Sequence, residues 1–329
     1  MTKFHKTLLS VFLLVLTGCE QNIPPPLPQK LILGIAQQPT SVLVYVAAEQ
    51  KFFEKYGLDV ELKSYPSDKR ALDEGLFANQ ADIISTTELP IALAASLHPE
   101  LRIVASSVTA NDINHICARR DASINNKSTD LLGKKIATQA NSAMHYFVRQ
   151  FLLEQGITEL DVSMIFMKIE ELIPAIVAGR VQAISVREPQ ISQCQQQLGD
   201  KSIIFSVKGL YEQHDLLVTS TEFATQYPRR IHALLQAMLD AENYTKAHPT
   251  ETIDILARGL GITPEIAATM WSQFSFRIEL PQALLLTLED EVRWGIEINT
   301  IDGDVPDFMP LFLSEPLHAI APERVTLIP

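Results

Sequence analysis

The motifs that most often announce an enzyme are missing from this chain. No G-x-G-x-x-G or G-x-x-x-x-G-K-[ST] run occurs, so no phosphate-cradling nucleotide loop is signalled. No G-x-S-x-G is present to set a nucleophile on a strained turn. The eight histidines show neither H-E-x-x-H nor any paired ligand spacing, so neither a metal nor another cofactor is expected. Positive charge is in deficit, with 27 Lys and Arg against 39 Asp and Glu and a net charge of −12. Without a basic stripe to neutralise phosphates, nucleic acid is not an expected partner. A small ligand is not excluded, because its site is local. Cysteine is scarce. Apart from Cys19 there are Cys117 and Cys194, which could pair in an oxidising compartment or remain buried thiols.

The sequence that is present reads as ordinary globular protein, 47% hydrophobic and 20% charged over 329 residues. That length suits one large or two medium domains and permits a substantial core. The first residues look like an address. Lys3 and Lys6 precede the apolar run Leu8–Leu16, which is about half the roughly 20 residues a membrane-spanning helix needs. Residues 1–18 are therefore expected to be a signal peptide. Leu16-Thr17-Gly18-Cys19 resembles a bacterial lipobox, which places the cut before Cys19 and an acyl (palmitate-type) anchor on its thiol. Residues 19–30 carry Pro24, Pro25, Pro26 and Pro28 and read as a semi-rigid tether, at about 3.1 Å per residue. No later segment is long and apolar enough to span a bilayer.

Two stretches echo each other. Ala78–Pro90 reads ANQADIISTTELP and Ala178–Pro189 reads AGRVQAISVREP, matching at Ala78/Ala178, Ile84/Ile184, Ser85/Ser185 and Glu88/Glu188, each offset by one hundred residues. Each copy ends an apolar helical run, enters a short strand and exits into a polar loop bearing a carboxylate. Ligands of open α/β sheets sit beyond the carboxyl ends of the strands. Two such exits suggest two similar lobes facing across one cleft.

The rest of the chain fits that outline. Strands are expected at residues 30–36, 58–63 and 101–108, with helices between them, and Thr40 or Ser41 is positioned to cap the first helix. A second strand–helix series follows, with strands near 113–118, 135–138, 162–167 and 203–207. Met144, Phe147, Val148, Phe151 and Leu152 make one helical stripe there, closed at Gly156. A strand at 216–219 is expected to return to the first lobe. Helices beginning at Pro228, Pro249, Pro264 and Pro281 then form a tail packed on the lobes and not a separate domain.

Three segments carry a family resemblance. VAAEQKFFEKYGLDVEL (Val46–Leu62) is close to the A-x-x-x-G-F-F-x-K-x-G-L-x-V-E pattern of periplasmic substrate-binding proteins for nitrate, sulfonate, taurine and thiamine-pyrimidine importers, with Lys51 where the family often has glycine. LGKKIATQANSAMHYFVRQFLLEQGI resembles the opening of that family's second lobe. IPAIVAGRVQAISVREP resembles its A-L-x-x-G-x-x-D-A-x-x-x-x-E/D-P element, with Gln182 for the usual aspartate, a position read as structural. The cysteine-rich segment of the family's pyrimidine-synthesising relatives is absent.

The resemblance implies an α/β, two-lobed type II periplasmic binding protein with two mainly parallel sheets, a double-crossover hinge and a helical C-terminal tail. The first lobe is residues 31–110 together with 217–329, and the second is 111–216. The crossings fall near Thr109–Asn114 and Lys208–Leu216. The implied ligand contacts are Gln37, Gln38 and Pro39, then Thr86, Thr87 and Glu88, then Asn141, Ser142 and Ala143. Arg187 and Glu188 complete the set, and His214, from its place by the second crossing, could line the cleft or sit on the hinge surface. Of the adjacent Arg187 and Glu188 only one is expected to face the ligand, and the resemblance favours Glu188 toward an amine or pyrimidine. Asn141 or Ser142 could instead be a plain helix cap.

The implied role is a monomeric, lipid-anchored receptor on the periplasmic side of the cell membrane or outer membrane. It would hand a small solute to the permease of an ABC transporter, and it is not expected to be an enzyme. A ligand sensor for a membrane signalling partner is the alternative, and an enzyme on the same scaffold is a third reading.

Overall fold

The structure, a computed structural model, describes residues 29–328. The expected signal peptide, Cys19 and all but the end of the tether lie outside the described residues. Gln29 and Lys30 open the first strand.

Eleven strands are found among the described residues: β1 (Gln29–Ala36), β2 (Leu58–Tyr65), β3 (Ile83–Thr87), β4 (Leu101–Asn111), β5 (His115–Arg119), β6 (Lys135–Thr138), β7 (Ser163–Phe166), β8 (Ala183–Val186), β9 (Ser202–Phe205), β10 (Glu212–Ser220) and β11 (Phe274–Glu279). They form two sheets, ordered β11-β4-β10-β3-β1-β2 and β7-β6-β8-β5-β9. The chain passes from the first sheet to the second between β4 and β5 and returns between β9 and β10. The two passages run side by side, with Asn111 opposite Glu212 in the ladder. This is the α/β, two-lobed periplasmic binding protein architecture that the resemblance implied.

Both sheets are mixed, which corrects the expectation of mainly parallel ones. β1 runs parallel to β2 and β3, and β6 runs parallel to β7 and β8. The remaining pairings are antiparallel. The cause is the return crossing. β10 arrives from the other lobe and inserts between β3 and β4, antiparallel to both, and β5 does the same between β8 and β9. Hydrophobic alternation marks a strand without revealing its direction. The edge strand β11 was not expected at all, because its FSFRIE lies between helices in what reads as a helical tail.

The repeated segments hold equivalent places. Read outward, β2-β1-β3-β10-β4 and β7-β6-β8-β5-β9 share one order, so β3 and β8 each lie between a parallel and an antiparallel neighbour. At the matching positions Asp82 and Gln182, a side-chain oxygen accepts from the neighbouring strand, from Ile32 N at 2.7 Å and from Lys135 N at 3.0 Å. Each residue also donates its own N–H back to that strand. Gln182 thus has the backbone-fixing role expected of it.

The core of the first lobe joins its sheet to the helices Val42–Glu49, Pro228–Ala247, Pro249–Leu260 and Gln282–Glu297, so the C-terminal helices belong to that lobe. Helix Pro249–Leu260 approaches closely because Gly259 lies under Tyr45, and a Cβ there would come within 2.8 Å of the ring. In the second lobe the helix Ala143–Glu154 buries the predicted stripe. Cys117 of β5 and Cys194 of the helix Gln190–Leu198 form a disulfide that pins this helix to the sheet, which settles the open question of their pairing. Lys51 adopts a left-handed backbone, φ 58°, which accounts for glycine being usual at that position.

Candidate functional site

The loops that leave β1, β2 and β3 in one lobe and β6 and β8 in the other converge where the lobes meet. Side-chain contacts bridge the lobes here. Arg187, at the end of β8, places Nη2 2.6 Å from Oδ2 of Asp68, in the turn after β2. Both residues are buried, 2% and 1% exposed. Gln139 Nε2 donates to Ser67 Oγ at 3.1 Å, and Arg70 Nη1 to Glu170 Oε1 at 2.9 Å. A buried charge without a partner is costly, so Asp68 and Arg187 depend on each other.

Behind this pair lies a polar hub on β10. Asp215 is fully buried and its carboxylate receives four donors. Gln38 Nε2 (3.0 Å) and Thr40 Oγ1 (3.2 Å) meet Oδ1, while Ser85 Oγ (2.8 Å) and Ser107 Oγ (2.9 Å) meet Oδ2. Burial pushes the Asp215 carboxyl up to about 7 against the pull of these hydrogen bonds, with the charge of Asp68 adding to the rise. Beside the hub, Gln213 Oε1 accepts from Arg187 Nη1 at 3.3 Å and from Asn114 Nδ2 at 3.2 Å.

This network is not saturated. Gln38 Oε1, Asp68 Oδ1, Thr87 Oγ1, Asn114 Oδ1, Gln139 Oε1 and Gln213 Nε2 are buried without a hydrogen-bond partner. Buried polar atoms are almost always paired, so unpaired ones concentrated where two lobes meet are the feature a polar guest would complete. The outer mouth of this junction is a cavity of about 380 Å³, lined from both lobes by Gln37, Pro66, Ile169, Glu170, Ile173 and Gln190 among others.

A second buried group lies at the returning crossing. The phenol oxygen of Tyr211 sits between the carboxyls of Glu88 and Glu291, 3.1 Å from the latter, and His214 N donates to Glu88 Oε2 at 2.9 Å. Two carboxyls share this space with no cation, so burial raises Glu88 to about 7 and Glu291 well above its ordinary range. Burial pushes the His214 ring the other way, downward.

The structure divides the expected contact residues. Gln38, Thr87 and Arg187 belong to the interlobe network, and Thr86 Oγ1 supports it by donating to Asp68 O at 3.2 Å. Gln37 is at the mouth, and Pro39 is buried in the turn after β1. Glu88 is committed to Tyr211, and His214 is buried in β10 with Nδ1 3.4 Å from Ser106 Oγ. Glu188, favoured over Arg187 in the sequence, instead accepts from Ser192 N (3.2 Å) and Ser192 Oγ (2.9 Å) and so caps the helix Gln190–Leu198. Neighbours on an extended chain point apart, and here Arg187 points inward. Ser142 caps its helix through His145 N, Ala143 is buried in the first turn, and Asn141 accepts from Thr300 Oγ1 at 3.3 Å. Thr40 and Ser41 do not cap the first helix, because their hydroxyls go to Asp215 and to Ala36 O.

Asp68, Ser85, Ser107, Asn114, Gln139, Gln213 and Asp215 were not expected in the site from the sequence. The available signal was Asp215, a carboxylate directly abutting the apolar strand Leu216-Leu217-Val218.

Comparison with known proteins gives the following. The sequence pattern of a family described as NMT1/THI5 like matches residues 38–252. A Haemophilus influenzae protein whose name refers to thiamine biosynthesis is 23% identical over 252 residues, covering 75% of this chain and 78% of that protein. The alkanesulfonate-binding protein SsuA from Xanthomonas axonopodis pv. citri, solved bound to MOPS, superposes with a TM-score of 0.73 at 17% identity, covering 85% of this chain and 96% of that one. The desulfurization enzyme DSZB shares the fold at a TM-score of 0.62 and 14% identity, covering 90% of this chain and 99% of that one.

Proposed function

The chain belongs to the NMT1/THI5-like family, and we propose that it is the solute-capturing component of an ABC importer, closing on one small polar molecule between its lobes. The observation that carries this reading is the buried interlobe network around Asp68, Arg187, Gln38 and Gln213, with its unpartnered atoms drawn from both lobes. A guest placed there would satisfy atoms that burial otherwise leaves at a cost.

In this account the lobe built on the first sheet, all of β10 included, moves against the lobe built on the second by hinging at the paired crossings, the usual switch for a two-lobed receptor. Gln38, Thr87 and Arg187 contact the guest. The guest is a sulfonate, a nitrate-like anion or an amine or pyrimidine compound, chemistries that include those in the names of the similar proteins. The protein binds without turnover, works as a monomer, and is held by a lipid on Cys19 at the periplasmic face of a membrane beside its permease.

A thermal-shift screen of sulfonates, nitrate, pyrimidines and amino compounds tests the reading. One compound class should raise the melting temperature by several degrees and be recovered chemically unchanged after hours with stoichiometric protein. No stabilising compound, or consumption of the compound, would contradict it. Cys19→Ser should move the protein out of the membrane fraction, and unchanged retention would remove the lipid anchor.

A further inference from the structure

We propose that Asp215 is a positioning residue which fixes the face that Gln38 shows to the guest, and so makes the cleft select solutes carrying N–H donors over bare oxyanions. This rests on the solute-binding reading above and names the chemistry that reading leaves open.

A glutamine side chain offers an acceptor on one side and two donors on the other, and its neighbours decide which way it turns. Gln38 Nε2 lies 3.0 Å from Asp215 Oδ1. Reversing the amide would set its oxygen against a carboxylate oxygen, two acceptors face to face. Gln38 Oε1 is therefore the atom left over, and it is buried without a partner. This orientation is fixed while Asp215 is ionised, because a protonated carboxyl could donate its O–H to a reversed amide, so it is read at pH 8, above the value of about 7 to which burial pushes Asp215.

The same reasoning orients other unpaired atoms. Asn114 donates Nδ2 to Gln213, which leaves Oδ1. Gln139 meets the Ser67 hydroxyl, which can donate or accept, so its amide is not fixed in this way and is left out of the count. Asp68 gives Oδ2 to Arg187, which leaves Oδ1. Acceptors thus dominate, against the single fixed donor Gln213 Nε2, while the Thr87 hydroxyl can serve either way. Charge points in the same direction. Arg187 is the one Arg or Lys among the buried residues described, and Asp68 already balances it. An oxyanion would face acceptors it cannot satisfy. An amino, amidino or aminoheteroaryl group would satisfy several together. A site built around hydrogen-bonding groups rejects an analogue that cannot pair them far more strongly than a purely apolar pocket could.

The test is calorimetric titration of the full-length protein at pH 8 with methylguanidinium and 4-aminopyrimidine as donor probes and methanesulfonate and nitrate as acceptor-only probes. Wild type should bind one donor probe at least tenfold more tightly than either anion. Asp215→Asn supplies an N–H where the carboxylate was and allows the Gln38 amide to reverse, so that preference should fall at least tenfold. Gln38→Met should weaken the donor probe at least tenfold, and Asp215→Asn combined with Gln38→Met should be no weaker than Gln38→Met alone, because Asp215 acts through Gln38. A folded Asp215→Asn protein with the wild-type ratio would overturn the role of Asp215 and leave solute binding standing. If Asp215→Asn does not fold, Gln38→Met decides, and retention of the wild-type ratio overturns the proposal. Wild type preferring an anion overturns donor selection alone. Wild type binding no probe, together with an empty thermal-shift screen, removes the solute-binding reading and the proposal with it.

Discussion

Asp68 and Arg187 come from different lobes and meet at 2.6 Å, nearly sealed from solvent. The pair links the turn after β2 to the end of β8, so it is both a bridge between the lobes and part of the wall between them. Removing one partner leaves a buried charge alone, which typically costs about 3–5 kcal/mol, whereas replacing both with apolar groups of similar size is often neutral. Arg187→Met should therefore lower denaturant stability by about 3–5 kcal/mol. The double variant Asp68→Leu/Arg187→Met should recover most of the loss. Equal losses in the single and double variants would show that the ion pair is not what Arg187 contributes.

Buried acids give the protein a stability that declines as pH rises. Glu88 and Asp215, both pushed up to about 7, and Glu291, pushed higher, hold protons in the folded state that the unfolded chain has already released. Their stabilisation is complete below the ordinary carboxylate range; that of Glu88 and Asp215 is lost as pH climbs through about 7, and that of Glu291 only as pH climbs further. His115 and His214, pushed down by burial, act in the opposite sense at acid pH, so the contribution of the acids is best read by difference. Glu291→Gln should flatten the fall in urea midpoint between pH 5 and 8 by up to about 1.4 kcal/mol per pH unit, the effect of one proton. An unchanged slope would mean that this carboxyl is already ionised across the range.

Lys51 holds a left-handed backbone at an exposed site, φ 58°. A side chain there costs about 1–2 kcal/mol relative to the right-handed form, and glycine escapes that cost while adding some unfolded-state entropy. Lys51→Gly should raise stability by roughly 0.5–1 kcal/mol in a denaturant titration. A loss of stability would show that the lysine side chain makes up for its backbone.

The Cys117–Cys194 disulfide closes a loop spanning 77 residues. Constraint of the unfolded chain by a loop of that size stabilises by up to about 4.5 kcal/mol, of which disulfides typically deliver about 2–4 kcal/mol. Cys117→Ala/Cys194→Ala should lose that amount and leave the first lobe's far-ultraviolet signal intact at low denaturant. Reductant should have no further effect on the variant. An equal response to reductant in variant and wild type would place the sensitivity elsewhere.

Much of the fold was legible because its signals are local. The hundred-residue echo identified β3 and β8, which occupy matching places, and the Met144–Leu152 stripe and the four prolines placed helices where they occur. Gln182 could be read as structural because Asp82 and Gln182 make the same local bond to a neighbouring strand. What escaped depends on residues distant in sequence. Alternation cannot tell the direction of β10, and only that insertion brings Asp215 beside Gln38, Ser85 and Ser107. Arg187 and Glu188 are equally polar and adjacent. Which of them turns inward was decided by Asp68, more than one hundred residues earlier, and by Ser192, which draws Glu188 into a helix cap.

The most direct test is a crystal structure of the protein with the best-stabilising solute from the thermal-shift screen. The solute should lie between the two sheets, within hydrogen-bonding distance of Gln38 Oε1 and of at least one of Gln139, Asn114 or Gln213. A solute seated on an outer face of either lobe, with those buried atoms untouched, would contradict the account.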